Sequence, residues 1–160
     1  DVCSSDLHHL FSTCCGATKW VSEMVLSAPF GSEQELFSAA DNAWSKCNDS
    51  DCLEAFLHHP KIGDIDALRT RFATTSHLAG AEQATVATAP EDVLRALKEL
   101  NDEYEKRFGF IFIVFATGKS AEEMLKILEQ RIHNDRTTEL RIAAQEQHNI
   151  TKLRLKKLLS

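Results

Sequence analysis

The chain has 160 residues, of which 43% are hydrophobic, and its formal net charge is -6 at pH 7. This length and composition fit one globular domain with a substantial core, and we expect that domain to span residues 1–160. The negative charge argues against general binding to nucleic acid or to acidic membranes. No apolar run approaches the ~20 residues of a membrane-spanning helix, so we expect neither nucleic acid nor membrane as a partner.

The cysteines form an odd set of five without a C-x-x-C pair. Neither a closed disulfide framework nor a zinc site is therefore indicated, and we expect reduced thiols that behave as small buried hydrophobes. None of the histidines shows the i, i+4 spacing of a helical metal pair. We predict no metal site.

The apolar period along the chain is helical and predicts an all-α fold. A capping box over Ser32-Glu33-Gln34-Glu35 predicts the start of one helix. A second is expected to open at Asp51 and to end at His59-Pro60, because proline drives the preceding residue out of the α region.

Further along the chain, Pro90 suits the first turn of a helix and Ser120 caps another. From about Thr138 to the end no proline or glycine interrupts the helical pattern. Residues 61–90 are poorly periodic, which is typical of a functional or a flexible loop. Residues 110–116 have strand-like composition but no partner strand, so we expect a buried segment that is either extended or helical.

His59 is the main candidate for chemistry, since an imidazole with an unperturbed pKa of ~6.5 exchanges protons near neutrality. On the residues alone, the favoured interpretation of this side chain is a helix-end imidazole that bonds a nearby carbonyl. The adjacent His58 points ~100° away around a helix, so the two rings are not expected to act together.

The His59-Pro60 pair is followed by Glu82-Gln83 and by an aromatic-rich run over residues 108–116. In this order and spacing the segments resemble the OHCU decarboxylases, which act on 2-oxo-4-hydroxy-4-carboxy-5-ureidoimidazoline, and especially the decarboxylase half of plant bifunctional allantoin synthases. The resemblance covers nearly the whole chain. Its other supporting segments are residues 11–16, 139–144 and 150–155.

The resemblance implies a multi-helix domain of the OHCU decarboxylase type that converts OHCU to (S)-allantoin in urate breakdown. No cofactor is implied, because the conjugated ring of the substrate can delocalise the electron pair that carbon dioxide leaves behind. His59 would be the general acid/base and Glu82 would bind or orient the reacting group. The residues implied to contact the substrate are Pro60, Ala79, Gly80, Ala81, Glu82, Gln83, Ile113, Val114, Phe115, Ala116, Thr117 and Arg154.

Two departures from the family pattern bear on these roles. Relatives commonly carry Ser where this chain has Ala79, and many carry Cys-Ala-Arg where it has Phe115-Ala116-Thr117. Arg154 and Arg141 are then the candidates for an anion contact. Ala79, together with a loop between His59 and Glu82 that is longer than in most relatives, keeps open a second hypothesis, in which the chain is a non-catalytic helical module that binds a ureide or a protein partner.

The resemblance also implies a homodimer, and nine Phe and two Trp supply apolar surface for a two-fold contact. Family members act in peroxisomes or in the cytosol, and the ending Lys157-Leu158-Leu159-Ser160 is not a Ser-Lys-Leu address. In plants the matching domain is followed by a transthyretin-like 5-hydroxyisourate hydrolase. We therefore expect this chain to be a fragment of a longer polypeptide.

Overall fold

The computed structural model describes residues 3–61, 65–78 and 90–160. Within these ranges the chain forms eight α-helices and no β-strand. The helices are α1 (Ser4–Ser12), α2 (Thr18–Ser27), α3 (Glu33–Ser45), α4 (Asp49–Leu57), α5 (Ile65–Leu78), α6 (Glu91–Phe108), α7 (Ala121–Arg131) and α8 (Arg136–Leu158). The predicted all-α fold is confirmed. No helix in the described ranges is both long and apolar enough to span a bilayer.

The helices group into two units by their contacts. The first unit comprises Asp1–His59 together with Leu140–Ser160 and holds α1 to α4. The second unit comprises Pro60–Glu139 and holds α5 to α7. Helix α8 contributes its first turn to the second unit and the remainder to the first.

Aromatic and small side chains fill the core of the first unit. Phe11 packs edge-on against Trp20 and Phe30, with ring centroids 6.0 and 6.1 Å apart. Trp44 Nε1 donates to the carbonyl of Ala144 at 3.1 Å and so joins α3 to α8. The fully buried members of this core include Trp20, Met24, Ala40 and Leu155.

The predicted N-cap at Ser32 is confirmed, but the carboxylate of Glu35 binds a different backbone N–H from the one that a capping box uses. Ser32 Oγ accepts from the backbone N–H of Glu35 at 3.1 Å, as an N-cap does. The Glu35 carboxylate accepts from Gly31 N at 2.6 Å, one residue before the N-cap. The pair still satisfies two backbone donors at the start of α3.

Helix α4 begins earlier than the expected Asp51. Asn48 is its N-cap, since Asn48 Oδ1 accepts from Asp51 N and Asp51 Oδ2 accepts from Asn48 N, both at 2.9 Å. This reciprocal box starts the helix at Asp49, two residues ahead of the predicted start. The helix ends at Leu57, as predicted from the proline that follows His59.

In the second unit, α6 ends at a glycine and passes into a segment without regular secondary structure. Gly109 has φ 82° and donates its N–H to the carbonyl of Glu105 at 2.8 Å. Residues 111–116 then adopt no regular structure. Of the two conformations left open for this run, the helical one is not adopted, and Phe110 and Ile113 are buried.

A buried ion pair supports this segment. Arg131 donates through Nε to both carboxylate oxygens of Glu139 at 3.0 Å and through Nη2 to one of them at 2.7 Å. Its Nη1 donates to the carbonyl of Ile113 at 2.7 Å. Tyr104 donates its hydroxyl to the same carboxylate, and Asn134 Nδ2 adds a bond of 3.2 Å. The side chain of Glu139 is fully buried, so these partners supply the compensation that a buried charge needs.

The prediction that residues 61–90 form a loop is wrong for part of that range. Helix α5 occupies Ile65–Leu78. Among the side chains of this helix that the structure describes, Leu68 and Phe72 are buried one turn apart, and Arg69 pairs with Glu91 at the start of α6. Packing against α6 stabilises this helix, and such a tertiary contact is not visible in the local apolar period.

Candidate functional site

The His59 imidazole lies just after the end of α4. His58 is the C-cap, with φ -84° and ψ -4°, and the N–H of His59 donates to the carbonyl of Phe56 at 3.1 Å. Pro60, which follows, is exposed. The helix-ending turn therefore holds the His59 backbone, and its side chain is half-buried.

The imidazole of His59 contacts a buried amide from the other end of the chain. His59 Nε2 lies 2.5 Å from Gln147 Oε1. The side chain of Gln147 also donates through Nε2 to Thr151 Oγ1 at 3.0 Å, and the Thr151 hydroxyl donates to the Gln147 carbonyl at 3.0 Å. Gln147 and Thr151 are 0% and 1% exposed. The result is a short chain of hydrogen bonds that ends on the ring.

The pKa of His59 is lowered from its ordinary value, chiefly because burial disfavours the charged imidazolium. The positive charge of Arg154 and the neighbouring His58 act in the same direction, while the bond to Gln147 opposes them. A histidine of lowered pKa is mostly neutral at pH 7 and can accept a proton.

Arg154 lies on the same face of α8 as the groups that hold His59. Gln147, Thr151 and Arg154 are spaced i, i+4 and i+7, which places them above one another on a helix. Arg154 is partly buried, and its Nη1 donates to the carbonyl of Cys14 at 3.3 Å. Arg141, the other candidate for an anion contact, is exposed.

The predicted substrate segment over residues 113–117 belongs to the second unit. Ile113 and Val114 are buried, Phe115 and Ala116 are partly buried, and Thr117 is exposed. Its backbone is held from both ends, because the carbonyl of Ile113 accepts from Arg131 and that of Phe115 accepts from Lys119 Nζ at 2.6 Å. A contact of this segment with substrate stays a prediction.

Other predicted site residues lie outside the described part of the chain. They are Ala79, Gly80, Ala81, Glu82 and Gln83. The roles that the resemblance implies for them, including the catalytic role of Glu82, stay predictions.

The neighbouring His58 is held differently from His59. Its Nδ1 lies 3.1 Å from the carbonyl of Glu54, and its ring packs so closely on Gly16 that a Cβ there would lie 2.1 Å from Nδ1. A glycine is therefore required at position 16 for His58 to take this place. The two adjacent imidazoles have separate surroundings, as predicted from their angular separation.

The buried cysteines are poor nucleophiles. Burial raises the pKa of Cys15 to about 11, that of Cys47 to about 12 and that of Cys52 to about 11. Such thiols stay protonated at neutral pH. All five cysteines are free; Cys14, Cys15 and Cys52 are buried as expected of small hydrophobes, whereas Cys47 is partly buried and Cys3 is exposed. Among the described residues no group of three or more His, Cys, Asp or Glu side chains is arranged to hold a metal ion.

Sequence reasoning missed Gln147 and Thr151. Thr151 stands within a family-like segment, three residues before Arg154, and helical spacing from Arg154 points back to Thr151 and then to Gln147. That spacing was the available signal. The sequence does not show that this face of α8 contacts the end of α4 and is not exposed to solvent.

Comparison with solved structures assigns this helical arrangement to a class. A crystal structure of an OHCU decarboxylase in the presence of (S)-allantoin matches with a TM-score of 0.75 and 37% sequence identity, over 92% of this chain and 95% of that one. A crystal structure of (S)-allantoin synthase shares the fold, with a TM-score of 0.70 at 18% identity over 98% of this chain and 50% of that one. The fold is that of the OHCU decarboxylases.

The family model of OHCU decarboxylase matches residues 3–156, and the chain belongs to this family. It is 40% identical over 153 residues to the uric acid degradation bifunctional protein TTL of Arabidopsis thaliana, covering 94% of this chain and 46% of that protein. It is 31% identical over 139 residues to a 2-oxo-4-hydroxy-4-carboxy-5-ureidoimidazoline decarboxylase of Haloferax volcanii, covering 85% of this chain and 79% of that protein. The chain thus spans about half the length of the plant relative and most of the archaeal one.

Proposed function

We propose that the chain is a carboxy-lyase that decarboxylates OHCU to (S)-allantoin in urate degradation, with His59 as its general acid/base. Family membership over residues 3–156 and relatives named as decarboxylases of this compound support the reaction. The observation that carries the role of His59 is its imidazole, half-buried at the end of α4, held by a buried amide and kept neutral by its surroundings.

The chemistry needs one bond to break and one proton to move onto carbon. The bond between the ring carbon and the carboxylate breaks, carbon dioxide leaves, and the electron pair enters the conjugated ring. The ring nitrogen that receives the electron pair takes up a proton from water. The hydroxyl on the first carbon becomes a carbonyl as it gives up its proton, and the adjacent ring carbon takes up a proton at one face. A neutral imidazole can accept the hydroxyl proton and return one to carbon, which is general acid/base catalysis.

Arg154 is the proposed partner for the negative charge of the substrate. It lies within electrostatic range of His59, because its positive charge contributes to the lowered pKa of that imidazole. A guanidinium offers planar donors that match a carboxylate. We further propose, from the resemblance alone, that Glu82 and Gln83 grip the ureido or ring nitrogens and that residues 113–117 line the substrate.

The test of the proposal is decarboxylation of freshly generated OHCU. Purified protein should accelerate the loss of OHCU and give allantoin of a single chirality. His59→Asn should lower turnover by ~10²–10⁴, the usual contribution of a positioned general acid/base, with unchanged helical content. His58→Asn is the matched control, since it removes the neighbouring imidazole, and its effect should be much smaller. Absence of any acceleration by the wild-type chain would favour the non-catalytic binding module.

The assembly and the wider protein are also proposals. We propose a homodimer with the pocket within each protomer, as the resemblance implies. The names of the plant and Bacillus relatives as bifunctional proteins of uric acid degradation support a covalent link to a second activity. We propose, from the resemblance alone, that this activity belongs to a transthyretin-like domain that supplies the substrate. We propose peroxisome or cytosol as the compartment, on the resemblance alone.

A further inference from the structure

We infer that Gln147 is a positioning residue that holds neutral His59 with its proton on Nε2, so that Nδ1 is the nitrogen that exchanges protons with the substrate. The tautomer follows from the hydrogen bonds of the protein. The statement about the substrate rests on the proposed function of His59.

The first step establishes which acceptor receives the single hydroxyl proton of Thr151. Thr151 Oγ1 lies 3.0 Å from the carbonyl of Gln147 one turn earlier, and a carbonyl can only accept. The proton of the hydroxyl therefore points at that carbonyl, and its oxygen is left as an acceptor. The side-chain amide of Gln147, also 3.0 Å from this oxygen, must present its N–H₂ group to it.

The second step fixes what His59 meets. With the N–H₂ group turned toward Thr151, the Gln147 amide presents Oε1 to His59 Nε2 at 2.5 Å. An amide oxygen accepts and does not donate, so Nε2 must carry the proton. A flipped amide would present N–H to His59 and would require Thr151 to abandon the carbonyl of Gln147. In the observed orientation the buried amide bonds at both ends, which a 0% exposed polar group requires.

The third step concerns charge. A carboxylate in the place of Gln147 would also orient the ring, but it would stabilise the imidazolium and raise the pKa of His59. A neutral amide orients the ring without that effect. With burial already disfavouring the charged form, the neutral imidazole offers a basic Nδ1 at physiological pH. Gln147 thus orients the His59 ring without placing a negative charge beside it.

The direct test is nitrogen-15 NMR of the protein labelled on its histidines, at a pH above 8, with no substrate present. The signals of His59 are assigned by their loss in His59→Asn. We expect Nε2 at the chemical shift of a protonated nitrogen and Nδ1 at that of an unprotonated one. Gln147→Met, which keeps the approximate volume and removes the acceptor, should give a mixture of both tautomers. Gln145→Met is the matched control, because Gln145 lies on the exposed side of α8, and it should leave the His59 shifts unchanged.

The kinetic test uses Gln147→Glu, which keeps the shape of the side chain. The pKa that limits turnover on the acidic side should move to higher pH, because the carboxylate stabilises imidazolium. Gln147→Met should lower kcat by ~10-fold or more with little change in KM, since a wrongly protonated catalytic imidazole can lose up to ~10⁴ in rate. Gln145→Glu should leave both the pH profile and kcat unchanged. A purely structural role for Gln147 would predict lost stability without a shifted pH profile.

The outcomes separate the two claims. Proton on Nδ1 in the wild-type protein, or an unchanged tautomer in Gln147→Met, overturns the inference whatever the activities are. If Gln147→Met does not fold, the wild-type spectrum and Gln147→Glu still decide it. Full activity of His59→Asn would refute the proposed role of His59, while the tautomer measurement would stand on its own.

Discussion

The buried pair of Arg131 and Glu139 gives the sharpest prediction about stability, because the carboxylate cannot reach water. Replacing Arg131 by Met keeps most of the volume but removes three hydrogen bonds to the carboxylate and one to the carbonyl of Ile113. Within the part of the chain that the structure describes, Tyr104 and Asn134 would remain as partners of a fully buried charge.

Removal of one partner from a buried ion pair typically lowers stability by ~3–5 kcal/mol. The remaining two partners place the expected loss for Arg131→Met near the lower end, about 3 kcal/mol. For a chain of this length, 1 kcal/mol corresponds to roughly 2–4 °C in Tm, so Tm should fall by roughly 6–12 °C. Urea unfolding followed by circular dichroism measures the free energy of unfolding, and a thermal scan measures Tm.

Two variants test the reasoning behind that number. Arg141→Met removes an exposed arginine from α8 and should change stability by no more than ~0.5 kcal/mol. The double variant Arg131→Met, Glu139→Leu removes both charges and should be more stable than Arg131→Met alone, because the penalty comes from the unpaired carboxylate. A loss below ~1 kcal/mol in the single variant, or a double variant no better than the single, would refute the argument.

Three further predictions concern pH, metals and assembly. Burial lowers the pKa of both His59 and His148, so these rings bind protons more readily in the unfolded chain, and the free energy of unfolding should fall as pH drops below the unfolded value of ~6.5. Urea titrations at pH 7.5 and 5.5 measure this, and His148→Asn should show a smaller difference between them. Chelators and added zinc should leave decarboxylation unchanged, and activity lost on chelation and restored by zinc would contradict a cofactor-free mechanism. Light scattering over a dilution series should show a dimer at micromolar concentration, with activity per chain constant as the dimer dissociates; a monomer at that concentration would contradict the assembly.

Helix ends were the most predictable part of the fold. The caps at Ser32 and Ser120 could be predicted because an N-cap side chain bonds a backbone N–H three residues away, so the signal is local. The end of α4 was predictable for the same reason, since proline acts on its immediate neighbour. The start of α4 was predicted at Asp51 because Asp51 and Glu54 also have the spacing of a capping box, whereas the structure uses Asn48 and Asp51.

The site was less predictable than the helices because its contacts are distant in sequence. His59 and Gln147 are separated by 88 positions, and no local rule links an imidazole to an amide at that distance. The same holds for Arg154 and Cys14, separated by 140 positions. Family resemblance identified His59 and Arg154 as single candidate residues. It did not identify Gln147, whose side-chain amide on α8 contacts His59.

Helix α8 nevertheless carried a signal that can be used in other chains. Its buried face includes the polar residues Gln147, His148 and Thr151, where a helix that only supports a core would place apolar ones. A buried polar side chain is unfavourable unless its hydrogen bonds are satisfied, so such a face requires particular partners. Here the partners are His59 for Gln147 and Asp41 for His148, the latter at 2.6 Å. Local sequence rules fail along this helix because its inward face holds the His59 imidazole through Gln147 and does not only fill space, and such a failure is itself a reason to look for a site.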